Sequence, residues 1–198
     1  MGRKEPEPGN EVFEKETGPT DFLKEDHRAT LLKLELTERA LRYLLSSPAE
    51  TTPEQVEVGK ILLRDLANGL EREMPPHFRK EEEGLFPILA EYIGSEHGLI
   101  EALRHEHAEI RSTFFPWKKR FFRFCEEIGP IDEALRKGVV DAGLRIVSLI
   151  RLHIYKENHV LFKISEASLT KEEKREVVVR MRGIMEEMRN GNKEAPAG

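Results

Sequence analysis

The sequence predicts an all-α protein, an up-down antiparallel four-helix bundle with an additional C-terminal helix. Charged residues make up 35% of the 198-residue chain and aromatic residues 7%, a composition typical of soluble helical proteins. Apolar residues recur every three or four positions along five long segments, which is the period of one helix face. No segment shows the strict alternation expected of a strand, and no repeat is found. A single domain of about 150 residues with tails fits this length.

The first helix follows an N-terminal tail. Residues 1–19 are rich in Glu, Pro and Gly and are predicted to be disordered. Thr20-Asp21 supplies the expected N-cap, and Ser46-Ser47-Pro48 is expected to end the helix. The apolar stripe of this helix contains Leu23, His27, Leu31, Leu34, Leu41 and Leu45.

The second helix is predicted to begin at Thr52-Pro53-Glu54, with proline in its first turn. Its stripe contains Val56, Ile61, Leu62, Leu66 and Leu70. Pro75 and Pro76 lack the N–H that an interior helical residue donates, so we expect a kink or an interruption there. The helix then resumes through His77 and is expected to end at Gly94.

A third helix is predicted over residues 96–128 and a fourth over residues 131–167. Pro116 should bend the third helix, and Gly129-Pro130 should form the turn that follows it. Along the fourth helix the apolar residues are spaced by three and four positions, which is the pattern of a bundle seam.

These elements set the predicted domain boundaries. Residues 20–167 form the bundle, residues 168–190 form a C-terminal helix, and residues 191–198 form a disordered tail. The apolar stripe of the C-terminal helix consists of Val178, Met181, Met185 and Met188. We expect this stripe to cover the bundle or to form the contact of a homodimer, and a metal-free bundle that binds a partner through it is an alternative.

Charge and cysteine content argue against several classes of protein. The net charge is −5, so the sequence does not indicate a basic surface that would bind a nucleic acid or an anionic membrane. Cys125 is the only cysteine, which excludes an internal disulfide and a cysteine-based metal cluster. No apolar run reaches the roughly 18 residues of a membrane span, and the N-terminus is not signal-like. The expected location is the cytoplasm.

Four histidines lie on the apolar stripes of four different predicted helices, and two of them are followed four residues later by a glutamate. Residues four apart share a helix face. The intervals between successive stripe histidines are suited to helix, turn and returning helix, so all four can meet at one depth of the bundle. Buried imidazole and carboxylate groups are costly unless they are paired, and binding a metal ion offsets that cost. The predicted metal ligands are His27, His77, Glu81, His107, His153 and Glu157.

Other interpretations of these residues remain open. An H-x-x-x-E spacing is common in a chain rich in glutamate, and a buried histidine is more often a hydrogen-bonded core residue than a ligand. Glu82 competes with Glu81 for the carboxylate role, because the two prolines before it can shift the helical phase. His97, His105 and His159 share faces with polar residues and are expected to lie away from the site.

The same residues carry a resemblance to a known family. The pattern H…HxxxE…H…HxxxE, together with the segments HFRKEEEGLFPIL (77–89), EHAEIR (106–111) and HIYKENHVLF (153–162), resembles the hemerythrin-like, HHE cation-binding domains. The resemblance implies a non-haem di-iron centre of two oxo- or hydroxo-bridged iron ions, with both glutamates bridging and the histidines terminal. It covers residues 20–167.

Two departures from related patterns narrow what the resemblance implies. Oxygen-carrying hemerythrins have an H-x-x-x-H pair on the third helix, but the residue four before His107 is Leu103. The resemblance is therefore closer to the branch associated with nitric oxide response and with oxygen or iron sensing. The N-terminal cysteine motif of the iron–sulfur repair proteins is absent.

The expected function is a metal-binding protein that binds or senses oxygen, nitric oxide or peroxide, or that handles iron. The alternative is a di-iron enzyme that reduces peroxide or nitric oxide. A shell of imidazole and carboxylate also accepts manganese or zinc. Glu35, Glu38 and Tyr155 are candidates to orient the ligand imidazoles from behind.

Overall fold

The computed structural model describes residues 18–45, 52–94, 98–127 and 132–194. Throughout these ranges the chain is helical and contains no strand. None of the helices in this part of the chain is long and apolar enough to cross a membrane. The α-helices are α1 (Pro19–Leu45), α2 (Pro53–Arg79), α3 (Phe86–Ile93), α4 (Leu99–Glu126), α5 (Glu133–Lys156), α6 (Phe162–Ser168) and α7 (Lys171–Glu194).

Most predicted helix ends agree with the structure to within a few residues. Thr52 caps α2, since its hydroxyl accepts from Gln55 N–H while the Gln55 side chain accepts from Thr52 N–H. Gly94 ends α3 with a φ of 75°, a conformation that favours glycine. The prediction of Thr20-Asp21 as the first N-cap is wrong, because α1 begins at Pro19 and Asp21 accepts from Gly18 N–H.

The final helix and the chain ends extend differently from the prediction. α7 continues to Glu194, beyond the predicted end of the C-terminal helix. Residues 1–17 and 195–198, to which the predicted tails largely belong, lie outside the described residues. The predicted breaks at Ser46-Ser47-Pro48 and Gly129-Pro130 lie outside them as well.

Two π-helical turns interrupt the long helices where the sequence predicted continuous α-helix. The first π turn spans Lys80–Leu85 and the second spans Glu157–Leu161. In each turn a glutamate carbonyl accepts from an N–H five residues later, at Phe86 and at Phe162. Such turns are frequent at functional sites. The expected interruption at Pro75 and Pro76 is wrong in position, since α2 passes through both prolines and ends at the first π turn.

The long helices pack side by side, and neighbours run in opposite directions. The end of α1 lies beside the start of α5, where Arg136 Nη1 donates to Leu44 O at 2.9 Å. The start of α2 lies beside the end of α4, where Lys60 Nζ lies 5.0 Å from the centre of the Phe124 ring. Helix pairs α1–α2 and α4–α5 are also in contact.

Two hydrophobic clusters fill the interior. The larger one includes Leu41, Phe78, Phe114, Trp117 and Ile150, and the smaller one includes Leu23, Leu85, Leu103, Leu161 and Phe162. α7 packs on the first π turn and on α1, and it places Val177 and Met181 in the smaller cluster. The C-terminal stripe therefore covers the bundle, although Met185 is exposed.

Several residues assigned to the apolar stripes are exposed. Leu31 and Leu45 lie at the surface of α1, and Ile61 and Leu62 lie at the surface of α2. Leu63, which the prediction omitted, is fully buried. Consecutive apolar residues such as 61–63 point to different helix faces, and tertiary packing decides which of these faces the core uses.

Candidate metal centre

Six buried side chains meet between the two hydrophobic clusters, and they are the six predicted ligands. His27 and His107 lie near the starts of α1 and α4. His77 and His153 lie near the ends of α2 and α5. The two glutamates lie in the two π turns. All six residues are at most 9% exposed, and both glutamates are 0% exposed. The six residues are His27, His77, Glu81, His107, His153 and Glu157.

The ligand atoms form two groups that share both glutamates. His27 Nε2 lies 3.0 Å from His77 Nε2, and His107 Nε2 lies 3.1 Å from His153 Nε2. Within each group one ligand atom from each of the four residues lies within 4.8 Å of the others. We call the group with His27 and His77 the first half-site and the group with His107 and His153 the second half-site.

Each glutamate contacts both half-sites. Glu81 Oε1 lies 3.4 Å from His77 Nε2, and Glu81 Oε2 lies 3.3 Å from His107 Nε2. Glu157 Oε2 lies 3.1 and 3.2 Å from the Nε2 atoms of the other two histidines, one in each half-site. Carboxylates placed between two pairs of imidazole nitrogens have the geometry of ligands that bridge two ions.

A side-chain oxygen accepts from the outward nitrogen of each ligand histidine. Carboxylates only accept hydrogen bonds, so a carboxylate partner holds the proton on Nδ1 and leaves the Nε2 lone pair directed at the centre. The pairs, with Nδ1–oxygen distances, are His27 with Asn158 (2.9 Å), His77 with Asp26 (3.0 Å), His107 with Glu82 (2.6 Å) and His153 with Glu106 (3.1 Å).

The three carboxylates behind the histidines are themselves paired with cations. Lys80 donates to Asp26, and Lys156 donates to Glu106. Arg111 Nη2 donates to Glu82 at 2.9 Å. These ion pairs keep the carboxylates ionised and fixed in place, so they orient the imidazoles behind which they lie.

The inner glutamates have no such partners. All four carboxylate oxygens of Glu81 and Glu157 are buried and accept no hydrogen bond in the described structure. Their nearest polar neighbours are Nε2 atoms, each of which offers a lone pair when its imidazole is neutral and protonated on Nδ1. Four converging nitrogen lone pairs and two unsatisfied carboxylates fit a pair of metal ions, because metal ligation satisfies both kinds of donor.

The electrostatics of the site keep the Glu81 carboxylate ionised. Burial by itself opposes the ionisation of Glu81, but the imidazoles around it outweigh burial and hold its pKa well below the usual range. Burial likewise lowers the pKa of His107, but the Glu81 and Glu82 carboxylates outweigh burial and raise that pKa to about 9, so a metal ion that binds Nε2 must displace a proton from this imidazole. Glu81 therefore remains an anion, which is the form that binds a metal ion.

The structure distinguishes between the two glutamates that the sequence left as alternatives. Glu81 lies at the centre, between both half-sites. Glu82 lies behind His107, where it accepts from that imidazole and from Arg111. Glu83 points away from the site and pairs with Arg79.

Two of the three other histidines lie away from the group. His105 pairs with Glu101 at the surface, and His159 is exposed and stacks on Tyr155, as expected for residues away from the site. His97 lies outside the described residues. The expected orienting role of Tyr155 is wrong, because the Tyr155 ring stacks at the surface rather than behind a ligand.

Glu35 and Glu38 are also not orienting residues. Glu35 lies near Arg39, and Glu38 pairs with Arg42 and Arg151 on the surface of the helices. The actual orienting residues directly precede or follow a ligand in the sequence. Because adjacent helix residues point about 100° apart, a ligand and its neighbour can contact different helices.

The sequence contained a signal for these residues that the search for repeats missed. Residues 77–86 (HFRKEEEGLF) and 153–162 (HIYKENHVLF) share histidine, lysine, glutamate, leucine and phenylalanine at equivalent positions. Each segment supplies a histidine of the group, the lysine three residues later, the buried glutamate shared by both half-sites and the orienting residue directly after it.

A cavity of about 240 Å³ leads from the surface to the site. Three of the four ligand histidines contribute to its wall, and so do Asp26 and Lys80. Apolar side chains, among them Met74, Ile150 and Met185, form much of the remainder. A small molecule can therefore approach the centre through a largely apolar passage.

Comparison with known proteins is consistent with this geometry. Residues 18–115 match the family model Hemerythrin, the hemerythrin HHE cation binding domain. No curated protein matches the chain in a sequence search. The matched range includes four of the six clustered residues, and the structure adds His153 and Glu157 to them from outside that range. The chain belongs to the family of hemerythrin-like, HHE cation-binding domains.

Proposed function

We propose that this protein binds two iron ions in a non-haem di-iron centre and uses them to bind or sense oxygen, nitric oxide or peroxide, or to handle iron. The observation that carries the proposal is the convergence of four Nε2 lone pairs on two buried carboxylates whose oxygens accept no hydrogen bond in the described structure. The two half-sites share both carboxylates, which favours two ions over one.

The ligand count leaves room for a small ligand. Four histidine nitrogens and two bridging carboxylates supply fewer bonds than two octahedral ions accept. Leu103 lies where oxygen-carrying relatives of this family have a further histidine, so this chain supplies no fifth imidazole from α4. Bound iron would supply reversible one-electron chemistry, and the protein would supply orientation, charge balance and restricted access of water.

The proposal includes the topology and the extent of the domain. We infer an up-down antiparallel four-helix bundle of α1, α2, α4 and α5 over residues 20–167, with α7 added across it. Opposite directions of the neighbouring helices and the common depth of the four histidines support this arrangement. Formation of a homodimer stays a prediction, which the mass of the protein in solution would test.

The central experiment is metal loading of the full chain. Protein reconstituted anaerobically with ferrous iron should contain two irons per chain by elemental analysis, and exposure to oxygen should change its ultraviolet–visible spectrum. Parallel loading with Mn²⁺ and Zn²⁺ would test the preference for iron. A chain that takes up no transition metal under these conditions would contradict the proposal.

The alternative function, reduction of peroxide or nitric oxide by a di-iron enzyme, has support from one feature. The Asp26–Lys80 pair lies in the wall of the cavity, where it could deliver the protons required to reduce peroxide to water, or two molecules of nitric oxide to nitrous oxide and water. Stopped-flow measurement with a reductant present separates the two functions. Stoichiometric consumption of the ligand supports binding or sensing, and many turnovers per chain support the enzyme.

A further inference from the structure

The orienting residues of the two half-sites differ in charge at one pair of equivalent positions. Glu82 and Asn158 each directly follow a bridging glutamate. Glu82 accepts from His107 in the second half-site, and Asn158 accepts from His27 in the first. Three ligand histidines therefore have an anion behind them, whereas His27 has a neutral amide.

The cation that pairs with Glu82 also has an uncharged residue at its equivalent position. Arg111, which pairs with Glu82, lies four residues after His107 in α4. The residue four after His27 in α1 is Leu31, which lies near Asn158 in the wall of a surface cleft. The ion pair behind His107 thus corresponds to two uncharged residues behind His27.

An amide orients an imidazole less strictly than a carboxylate does. A carboxylate only accepts, so it holds the proton on Nδ1 and increases the electron density at Nε2. The asparagine amide offers both an oxygen and an NH₂ group, so it can hydrogen-bond to either tautomer of His27. Only the tautomer with its proton on Nδ1 leaves Nε2 free to bind a metal.

The surface is also open at His27. A cleft of about 310 Å³ has His27, Asn158, Leu31, Lys24 and Arg28 in its wall. His27 also borders the 240 Å³ cavity described above, whereas His107 borders neither space. His27, the ligand imidazole with a neutral amide behind it, thus borders both the cavity and the cleft.

Resting on the proposed pair of metal ions, we infer that the two half-sites differ in affinity, and that Asn158 is the positioning residue that makes the His27–His77 half-site the weaker, exchangeable one. The His107–His153 half-site has two carboxylate–cation pairs behind its ligands and fills first. The His27–His77 half-site binds its metal ion second and releases it first. A protein built in this way exchanges one metal ion while it retains the other.

Titration of the metal-free, full-length protein with Co²⁺ tests this inference, because Co²⁺ accepts the same ligands and has a visible spectrum that reports its coordination. The wild type should bind two Co²⁺ in two steps, the second about ten- to a hundredfold weaker, which is the range found when such outer partners are altered. Asn158→Glu, which installs the residue found at position 82, should tighten the second step by about tenfold or more and leave the first unchanged.

Glu82→Gln is the matched reciprocal variant. It places an amide behind His107 and should weaken the first step by a similar factor without weakening the second. A purely structural role for Asn158 cannot produce the gain of affinity expected in Asn158→Glu, so this variant tests the inference even if Glu82→Gln folds poorly. The rate at which a chelator removes each Co²⁺ should follow the same order.

Three outcomes would overturn the inference: two Co²⁺ bound with equal affinity by the wild type, an unchanged second step in Asn158→Glu, or a weakened second step in Glu82→Gln. Failure of the proposed function would differ from all three. In that case the wild type would bind fewer than two Co²⁺ per chain, which would overturn both proposals together.

Discussion

At the scale of single residues, the two inner glutamates are the most demanding feature of the structure. A buried carboxylate without a hydrogen-bond donor is strongly unfavourable, and Glu81 and Glu157 are both buried in this way. The imidazoles around them direct lone pairs rather than protons inward in the tautomer that the outer carboxylates hold. The arrangement of the six residues therefore suits the binding of a metal ion better than it suits hydrogen bonds among the six residues.

Replacement of a bridging or terminal ligand should remove iron. Glu157→Ala or His77→Ala should lower the iron content of the reconstituted protein from two per chain to one or fewer, because each change deletes a ligand whose partners then remain buried and unsatisfied. His105→Ala is the matched control, since His105 pairs with Glu101 at the surface. Loss of iron in His105→Ala, with normal content in His77→Ala, would contradict the assignment.

Adjacent glutamates in the first π turn should behave differently. Glu81→Gln removes a bridge and should reduce occupancy of both half-sites, whereas Glu83→Gln breaks only the exposed pair with Arg79 and should retain two irons. Elemental analysis of the two reconstituted variants makes the comparison. Equal iron content in both would show that Glu81 is not a ligand.

At the scale of elements, the close approach of α5 to α1 depends on one glycine. A Cβ atom at Gly143 would lie 2.7 Å from Leu41 Cδ1 and 3.0 Å from Trp117 Nε1, and both of these side chains are buried. Gly143→Ala should therefore lower the free energy of unfolding by about 1–3 kcal/mol through overpacking. Urea unfolding followed by circular dichroism measures the change.

The control for this substitution is a second glycine inside a helix. A Cβ atom at Gly183 in α7 would meet nothing within 4 Å, so Gly183→Ala should raise the free energy of unfolding by about 0.5–1 kcal/mol through helix propensity. Opposite signs for the two substitutions are expected. Stabilisation by both would indicate that α1 and α5 lie further apart than described.

The π turns decide where the ends of two long helices point. A π turn holds an extra residue, so the helix that follows is rotated relative to a continuous α-helix. Phe86 and Phe162, the first residues after the two turns, are fully buried, and each of their rings stacks on a ligand imidazole. The spacing of apolar residues did not predict these turns. Each turn occupies only five or six residues, and the helical spacing of apolar residues is regular on either side of it.

At the scale of the whole molecule, the candidate metal centre lies between the two hydrophobic clusters. Removal of the metal by a chelator should leave the buried carboxylates of Glu81 and Glu157 unsatisfied between the two clusters. With free metal at about a hundred times Kd, binding contributes roughly 2.7 kcal/mol per site, or about 5 kcal/mol for the two proposed sites, which corresponds to a rise in Tm of roughly 10–20 °C for a chain of this size. Differential scanning calorimetry of chelated and iron-loaded protein should show this difference, and superimposable transitions would argue against binding of metal by the folded state.

The sequence by itself determined the helical class, most helix ends and the six residues that meet in the interior. It could do so because helical periodicity, capping residues and the H-x-x-x-E spacing are local properties of the chain. Only the tertiary structure decided that Glu81 rather than Glu82 lies at the centre, that Leu31 and Ile61 face outward, and which residues lie behind each imidazole. These outcomes depend on the relative rotation of packed helices. The hydrogen bonds behind the imidazoles, which join residues up to 131 positions apart in sequence, depend on the same rotation.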